Sequence, residues 1–265
     1  MEKLSITIAT WDYDRVRALI DGRVKVEGCD VDYKVLRPEA CFHRAYVQRE
    51  FEVSEIGFSP YLIAYSRNQS PYVALPIFLS RMFRHSSVYV RTDRGIRAPA
   101  DLVGKSIGVV EYQMSAVMWV RGMLADDFGI RPADILWRQG GLDVPGRKEK
   151  FPLNLPEDFP LAPIPEGRTL SGLLAEGALD AVITPRAPLC YGDGTTPVAR
   201  LFEDFEAAER DYFKRTRVFP IMHALGIRAD IHERHPWLAA SLCQAFTEAK
   251  RLADAELFEL DALKV

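Results

Sequence analysis

DLVGKSIGVVEYQMSAVMWVRGMLADDFG, residues 101–129, is the stretch that decides the fold. Asp101 to Lys105 reads as a short turn, and Ser106 to Val110 as an apolar strand. Met114 to Phe128 then carries a strong helix, closed by Gly129, because glycine accepts the left-handed backbone at a helix end. A turn, a strand and a helix in that order open a βα series. This one opens near the middle of the chain, after Arg97-Ala98-Pro99, where one series has already run its course. A restart of that kind favours two lobes over one continuous domain.

The first series is legible upstream. Leu4 to Thr10 alternates as a strand and breaks at Trp11-Asp12-Tyr13-Asp14. Arg15 to Ile20 reads as a short helix, Val31 to Leu36 as a strand, and Glu39 to Glu50 as a helix with Phe42, Tyr46 and Val47 on one stripe. SEIGF, residues 54–58, is a short strand running into Ser59-Pro60 and a helix from Tyr61 to Arg67. Tyr72 to Leu79 and Ser86 to Arg91 read as further strands. Downstream, a strand begins within Asp134 to Arg138, and the Pro-rich, charged segment 140–167 reads as a long loop or a hairpin. Leu170 to Glu176 is helical, Leu179 to Thr184 a strand, Phe202 to Phe213 a polar helix and Pro220 to Arg228 a strand. An amphipathic helix follows His235-Pro236, proline suiting a first helical turn. Strands alternating with helices point to mainly parallel sheets with covered faces.

Bulk composition bounds the rest. The chain has 265 residues, 48% of them hydrophobic, which suffices for a buried core and two modest lobes. Lys and Arg total 34 against 37 acids, so a global basic field for nucleic acid is absent. Cys29, Cys41, Cys190 and Cys243 lack CxxC spacing and read as reduced, mostly buried thiols. No apolar run reaches the ~18 residues of a membrane span. MEKLSITIAT shows no secretion signal, so the expected location is cytoplasmic. At the other end, Leu263-Lys264-Val265 stops without a helix stop signal and reads as a chain shortened relative to its natural length.

DLVGKSIGVV, EGALDAVITPRAP and HPWLAASLCQAFTEA, in that order and spacing, resemble the solute-binding proteins of the type 2 periplasmic-binding-protein fold. That resemblance implies an α/β fold of two lobes, a ligand cleft between them and two crossover strands. The expected lobes are residues 1–90 with the return segment 219–265, and residues 91–218. Within the fold, ITIATWDYDRVRAL, FEVSEIGFSPYLIAY, PIFLSRMFRHSSVYVR and GVVEYQMSAVMWVRGML are most similar to the 4,5-dihydroxyphthalate decarboxylase family. Membership implies non-oxidative loss of one ring carboxylate, giving protocatechuate.

Such a reaction needs a proton at the departing carbon, an ionised or nearly ionised para hydroxyl, and a cation for the carboxylate that stays. The hydroxylated ring is itself the electron reservoir, so no cofactor is expected, and no ligand spacing indicates a metal. In open α/β sheets ligands sit at the carboxyl ends of strands. His85 and His223, on or beside the expected crossover strands, are the candidate acid and base, since imidazole titrates near neutrality. Closure should bring them to one cavity; which is acid and which is base stays open, as does a structural role for each. Between residues 81 and 97 stand five arginines, one histidine and one acid. Arg81 and Arg84 are the candidate carboxylate grips; Arg91, Arg94 and Arg97 read as a solvated face. Tyr112, Gln113 and Ser115 lie where free N–H groups at a helix start suit an anion, although Ser115 alone could be an N-cap. Arg186 is a second clamp or a rim salt bridge. Trp11 and Tyr13 stack on a ring or pack a lid, and Ser59 lies in another strand-end loop.

The expected partner is therefore a small aromatic anion, with neither nucleic acid nor membrane. Homo-oligomerisation stays open. The competing readings are a solute receptor for an aromatic or other small anion, serving an ABC transporter, and a biosynthetic enzyme that uses the same fold for another small anion. The missing signal and the two histidines favour the enzyme.

Overall fold

The structure is a computed structural model and describes residues 2–259. The ending at Leu263-Lys264-Val265 lies outside the described residues. In chain order the elements are β1 (Leu4–Thr10), a 3-10 turn at Asp14–Val16, α1 (Arg17–Ile20), β2 (Cys29–Val35), α2 (Pro38–His43) with a π-helical turn at Arg44–Gln48, β3 (Val53–Gly57), α3 (Phe58–Ser66), β4 (Tyr72–Ala74) and β5 (Ser80–Arg81). A 3-10 turn at His85–Ser87 leads to β6 (Val88–Arg91), β7 (Ser106–Val109), α4 (Ser115–Phe128), β8 (Leu136–Gln139), β9 (Leu161–Pro163), α5 (Leu170–Ala175), β10 (Ala181–Ile183), β11 (Val198–Arg200) and α6 (Phe205–Thr216). Then come β12 (Ile221–Arg228), α7 (Ala229–Arg234) and α8 (Leu238–Glu259).

Two compact units result: Met1–Arg81 with Ile221–Val265, and Met82–Pro220. The division falls after Arg81, earlier than residue 90, because Val88–Arg91 pairs with β10 and β11 of the second sheet.

Unit 1 holds a sheet in the order β2-β1-β3-β12-β4, with β5 also on β12. Its core is made by alternate residues of β1 (Ile6, Ile8), by Leu225 and Ile227 of β12, and by one stripe of α8. Leu238, Leu242, Ala245, Phe246 and Ala249 recur at the three-and-four spacing that keeps one helical face on the sheet. Unit 2 holds the order β11-β6-β10-β7-β8-β9. One core there joins Ile107, Val109 and Ile183 to the Val117, Val120, Leu124 stripe of α4 and to Trp137. Another joins Val182 to Leu170, Leu173 and Leu174 of α5. A Cβ on Gly108 would stand 2.8 Å from the Leu170 side chain, so only glycine admits that close packing.

Several expectations need correction. The sheets are mixed, not mainly parallel: β1–β2, β1–β3, β7–β8, β8–β9 and β7–β10 are parallel, while β12 and β6 run antiparallel to their neighbours. Each of these strands enters its sheet where the chain arrives from the other unit, so it lacks the helical crossover that parallel pairing requires. Segment 140–167 makes no hairpin, because β9 lies parallel to β8. The strand expected over Tyr72 to Leu79 stops at Ala74. His85 lies beside a strand and not on one, in the 3-10 turn that runs directly into β6. Ser115 is the first helical residue of α4, with Met114 in the N-cap position. No helix among the described residues is long and apolar enough to cross a membrane.

Candidate active site

Strand register assembles the polar centre of unit 1. In the antiparallel β3–β12 pair, His223 lies opposite Gly57 and Leu225 opposite Glu55. Opposed residues share a sheet face, and diagonal neighbours two positions apart remain within reach of long side chains. Glu55 and His223 are such a diagonal pair, and Gly57, opposite the imidazole, carries no side chain to crowd it. The result is a 2.7 Å contact between His223 Nδ1 and Glu55 Oε1. Glu55 is fully buried, whereas the His223 side chain is 19% exposed. Phe42 packs against the imidazole in a T-shaped arrangement, 4.8 Å between ring centroids.

The loop after β1 supplies the other partners of Glu55. The Trp11 backbone N–H donates to Oε2 at 3.0 Å, and the Tyr13 hydroxyl donates to Oε1 at 2.7 Å. Burial, then the neighbouring Glu55 charge, pushes the Tyr13 hydroxyl far above the ordinary phenol range, so it stays a donor. The Arg15 guanidinium lies 4.2 Å from the Tyr13 ring centroid and donates from Nε to the Leu79 carbonyl at 3.0 Å. On the other side of β12, Ser80 is paired with His223 and Arg81 with Ile221. Arg81 is exposed, its guanidinium 4.8 Å from the Phe78 ring centroid. Trp11 is exposed, and Ser59 is buried in the first turn of α3.

Beneath Glu55 lies Cys41, whose Sγ is 3.4 Å from the Ala9 carbonyl and 3.3 Å from Ser54 Oγ. Burial pushes this thiol up to about 12, which makes it packing and no nucleophile.

Unit 2 treats its candidates differently. His85 is 4% exposed, its ring edge-on to Phe202 and Tyr212, with Nδ1 unpartnered among the described residues. Burial, aided by Arg215 and opposed by Asp127, lowers its pKa, so it is neutral at neutral pH. Arg84 is half-buried; burial brings it down to about 10, against the pull of Glu209, and it remains a cation. Arg186 is exposed.

The helix start at Tyr112 to Ser115 was expected to offer free N–H groups. Those of Tyr112 and Gln113 are instead taken by the Glu149 carboxylate. Glu111, fully buried, accepts from Arg147 Nε at 2.7 Å and Lys150 Nζ at 2.5 Å. Gln113 Nε2 donates to the Phe151 carbonyl at 2.8 Å, and Gln139 Nε2 to that of Arg147 at 2.9 Å. The protein's own strap, residues 147–151, thus occupies this helix start. The Tyr112 ring packs on Trp137 and Phe159, with Arg121 3.7 Å from its centroid. Arg91 corrects another reading. It is 7% exposed and donates to the Leu174 and Ala175 carbonyls at the end of α5, where a cation satisfies carbonyls the helix leaves open.

Sequence reasoning missed Glu55. Its signal was available: a carboxylate inside a short apolar strand, SEIGF; in the structure all five residues of β3, Val53–Gly57, are buried.

No family model matches the chain. Among solved structures, the periplasmic aliphatic sulphonate binding protein SsuA of Escherichia coli superposes with a TM-score of 0.56 at 13% identity, covering 98% of this chain and 76% of that one. The alkanesulfonate-binding protein SsuA of Xanthomonas axonopodis gives 0.53 at 12% identity, with 97% and 75% covered. These likenesses establish the type 2 periplasmic-binding-protein-like fold and no more. Two curated relatives are far nearer in sequence, and both are named 4,5-dihydroxyphthalate decarboxylase. The one from Pseudomonas putida is 44% identical over 214 residues, spanning 81% of this chain and 83% of its own. The one from Comamonas testosteroni is 47% identical over 265 residues, the whole of this chain and 80% of its own. On that identity, the chain belongs to the 4,5-dihydroxyphthalate decarboxylase family.

Proposed function

We propose that this protein removes one ring carboxylate from 4,5-dihydroxyphthalate, giving protocatechuate and carbon dioxide, and that His223 is its acid–base group. The observation that carries the assignment is the Glu55–His223 pair. Glu55 engages Nδ1 of a partly exposed imidazole, so Nε2 is the nitrogen left for substrate. His85 is the weaker choice, because it is almost fully enclosed by aromatic rings.

The hydroxyl para to the departing carboxylate gives its proton to His223 Nε2. The resulting oxyanion raises electron density at the carbon bearing that carboxylate, which takes up a proton from solvent. The ring is then a dienone with a tetrahedral carbon. Its bond to the carboxylate breaks, the electron pair returns to the ring, carbon dioxide departs, and the phenolate recovers its proton from the imidazolium. One proton is consumed for each carbon dioxide released. General acid–base assistance of this kind supplies ~10²–10⁴-fold.

The second carboxylate needs a cation, and our candidate for it is Arg81, exposed on β5, the strand that pairs with β12. Trp11, exposed in the loop after β1, is the candidate stacking surface for the ring. The cysteines are free, three of them buried, which suits a reducing compartment, and we place the reaction in the cytoplasm.

Purified protein mixed with 4,5-dihydroxyphthalate is expected to release carbon dioxide and accumulate protocatechuate. Binding of the dianion with no carbon dioxide release would return the chain to the solute-receptor reading.

A further inference from the structure

We propose that Glu55 is the positioning residue of this site, fixing His223 as the Nδ1–H tautomer so that Nε2 carries the lone pair that meets the substrate hydroxyl. The proposal rests on the acid–base role of His223 and adds a residue to it.

The donors around Glu55 fix its protonation state and that of its partner. Glu55 Oε2 accepts the Trp11 N–H, and Oε1 accepts the Tyr13 hydroxyl. The Tyr13 hydroxyl has only one proton, and burial beside Glu55 keeps that proton on it. Two neighbours therefore already donate to the carboxylate, which fits an acceptor with no proton of its own. His223 Nδ1, 2.7 Å from Oε1, must then be the donor. Tyr13 Oη and Nδ1 are 3.5 Å apart, at the outer limit for a hydrogen bond, so both point at Oε1 and not at each other. An imidazole with its proton fixed on Nδ1 has its lone pair on Nε2. The T-shaped contact with Phe42 and the strand position of His223 restrict rotation of the ring. When Nε2 takes a proton, the Glu55 charge lies against the imidazolium that forms. A carboxylate that holds a histidine in this way acts without itself accepting the proton.

A purely structural Glu55 would tie β1, β3 and β12 together and do nothing else. Three variants separate the two roles. Glu55→Gln keeps shape and hydrogen-bonding capacity, but its amide can turn and donate to Nδ1, which moves the ring proton to Nε2. Expected is a fall in kcat of about 10²–10⁴-fold with KM little changed. The His223 ¹⁵N resonances should shift from the Nδ1–H to the Nε2–H pattern while the fold is retained. Glu55→Asp keeps the charge and should recover part of the lost turnover. Tyr13→Phe removes one donor without touching the tautomer and should retain the Nδ1–H pattern. Glu55→Gln with unchanged kcat and tautomer, in a protein whose His223→Gln variant is inactive, would overturn the role of Glu55 alone. An active His223→Gln variant would overturn the acid–base reading beneath it.

Discussion

Each unit buries a glutamate, Glu55 within β3 and Glu111 just after β7, and the two have different partners. Glu55 in unit 1 meets a tyrosine hydroxyl, a backbone N–H and a histidine that reaches solvent. Glu111 in unit 2 meets Arg147 and Lys150. A histidine can gain and lose a proton near neutrality; a guanidinium and an ammonium stay charged. The first arrangement is therefore able to move protons. The second neutralises a buried charge and pins the 147–151 strap across the start of α4. The histidines divide the same way, His223 backed by a carboxylate and His85 enclosed in rings. Residue type alone gave them equal standing; their surroundings separate them.

The sharpest way to break this contrast is to replace each histidine. His223→Gln is expected to lower kcat by at least ~10²-fold with substrate still bound, while His85→Gln stays within about threefold of the parent. Steady-state kinetics with protocatechuate as the readout decides it. Equal losses would restore His85 to the chemistry.

How the two histidines came to look alike shows what the sequence carries. Element order, the mid-chain restart and the helical stripe of α8 are periodic signals, so the fold was readable. The diagonal contact between Glu55 and His223 joins positions 168 residues apart and depends on strand register, which no local pattern encodes. The capture of the Tyr112 and Gln113 N–H groups by Glu149 was hidden for a similar reason. Both the amides and the carboxylate were visible, but they meet only because the irregular strap folds back. Arg91 looked solvated because it belongs to a run of arginines; its neighbour in space is the end of α5, more than 80 residues away.

Arg81 comes next in size. Arg81→Ala is expected to raise the KM for the dicarboxylate by more than about tenfold, since a carboxylate loses its charged partner, and to change kcat much less. A monocarboxylate analogue should be far less affected. Unchanged KM would remove Arg81 from the grip.

Glu111→Ala tests the other half of the contrast. It strands two cations, but Arg147 and Lys150 are 32% and 13% exposed in their side chains and can reach water. The cost should fall near the lower end of the range for a broken buried pair, about 3 kcal/mol. That corresponds to a Tm lower by very roughly 5–10 °C, with kcat nearly unchanged. A large kcat loss without a Tm shift would move unit 2's glutamate into the chemistry.

The smallest effect is on pH-dependent stability. Burial lowers the His85 pKa in the folded state from its ordinary 6.5. Below that pH the unfolded chain binds a proton that the folded one resists, so the His85 contribution is complete above about pH 6.5 and is lost progressively as pH falls. Urea unfolding between neutral and mildly acidic pH should show His85→Gln losing less stability on acidification than the parent. Parallel curves would mean that His85 is not held neutral.

The claim that Glu55 and His223 act as one unit is tested most directly by a double-mutant cycle on turnover of 4,5-dihydroxyphthalate, comparing Glu55→Gln, His223→Gln and the variant carrying both. Residues that act together lose their function together. The double variant is expected to be no slower than His223→Gln alone. Losses that multiply, so that the double variant falls by the product of the two single effects, would show two independent contributions and contradict the account.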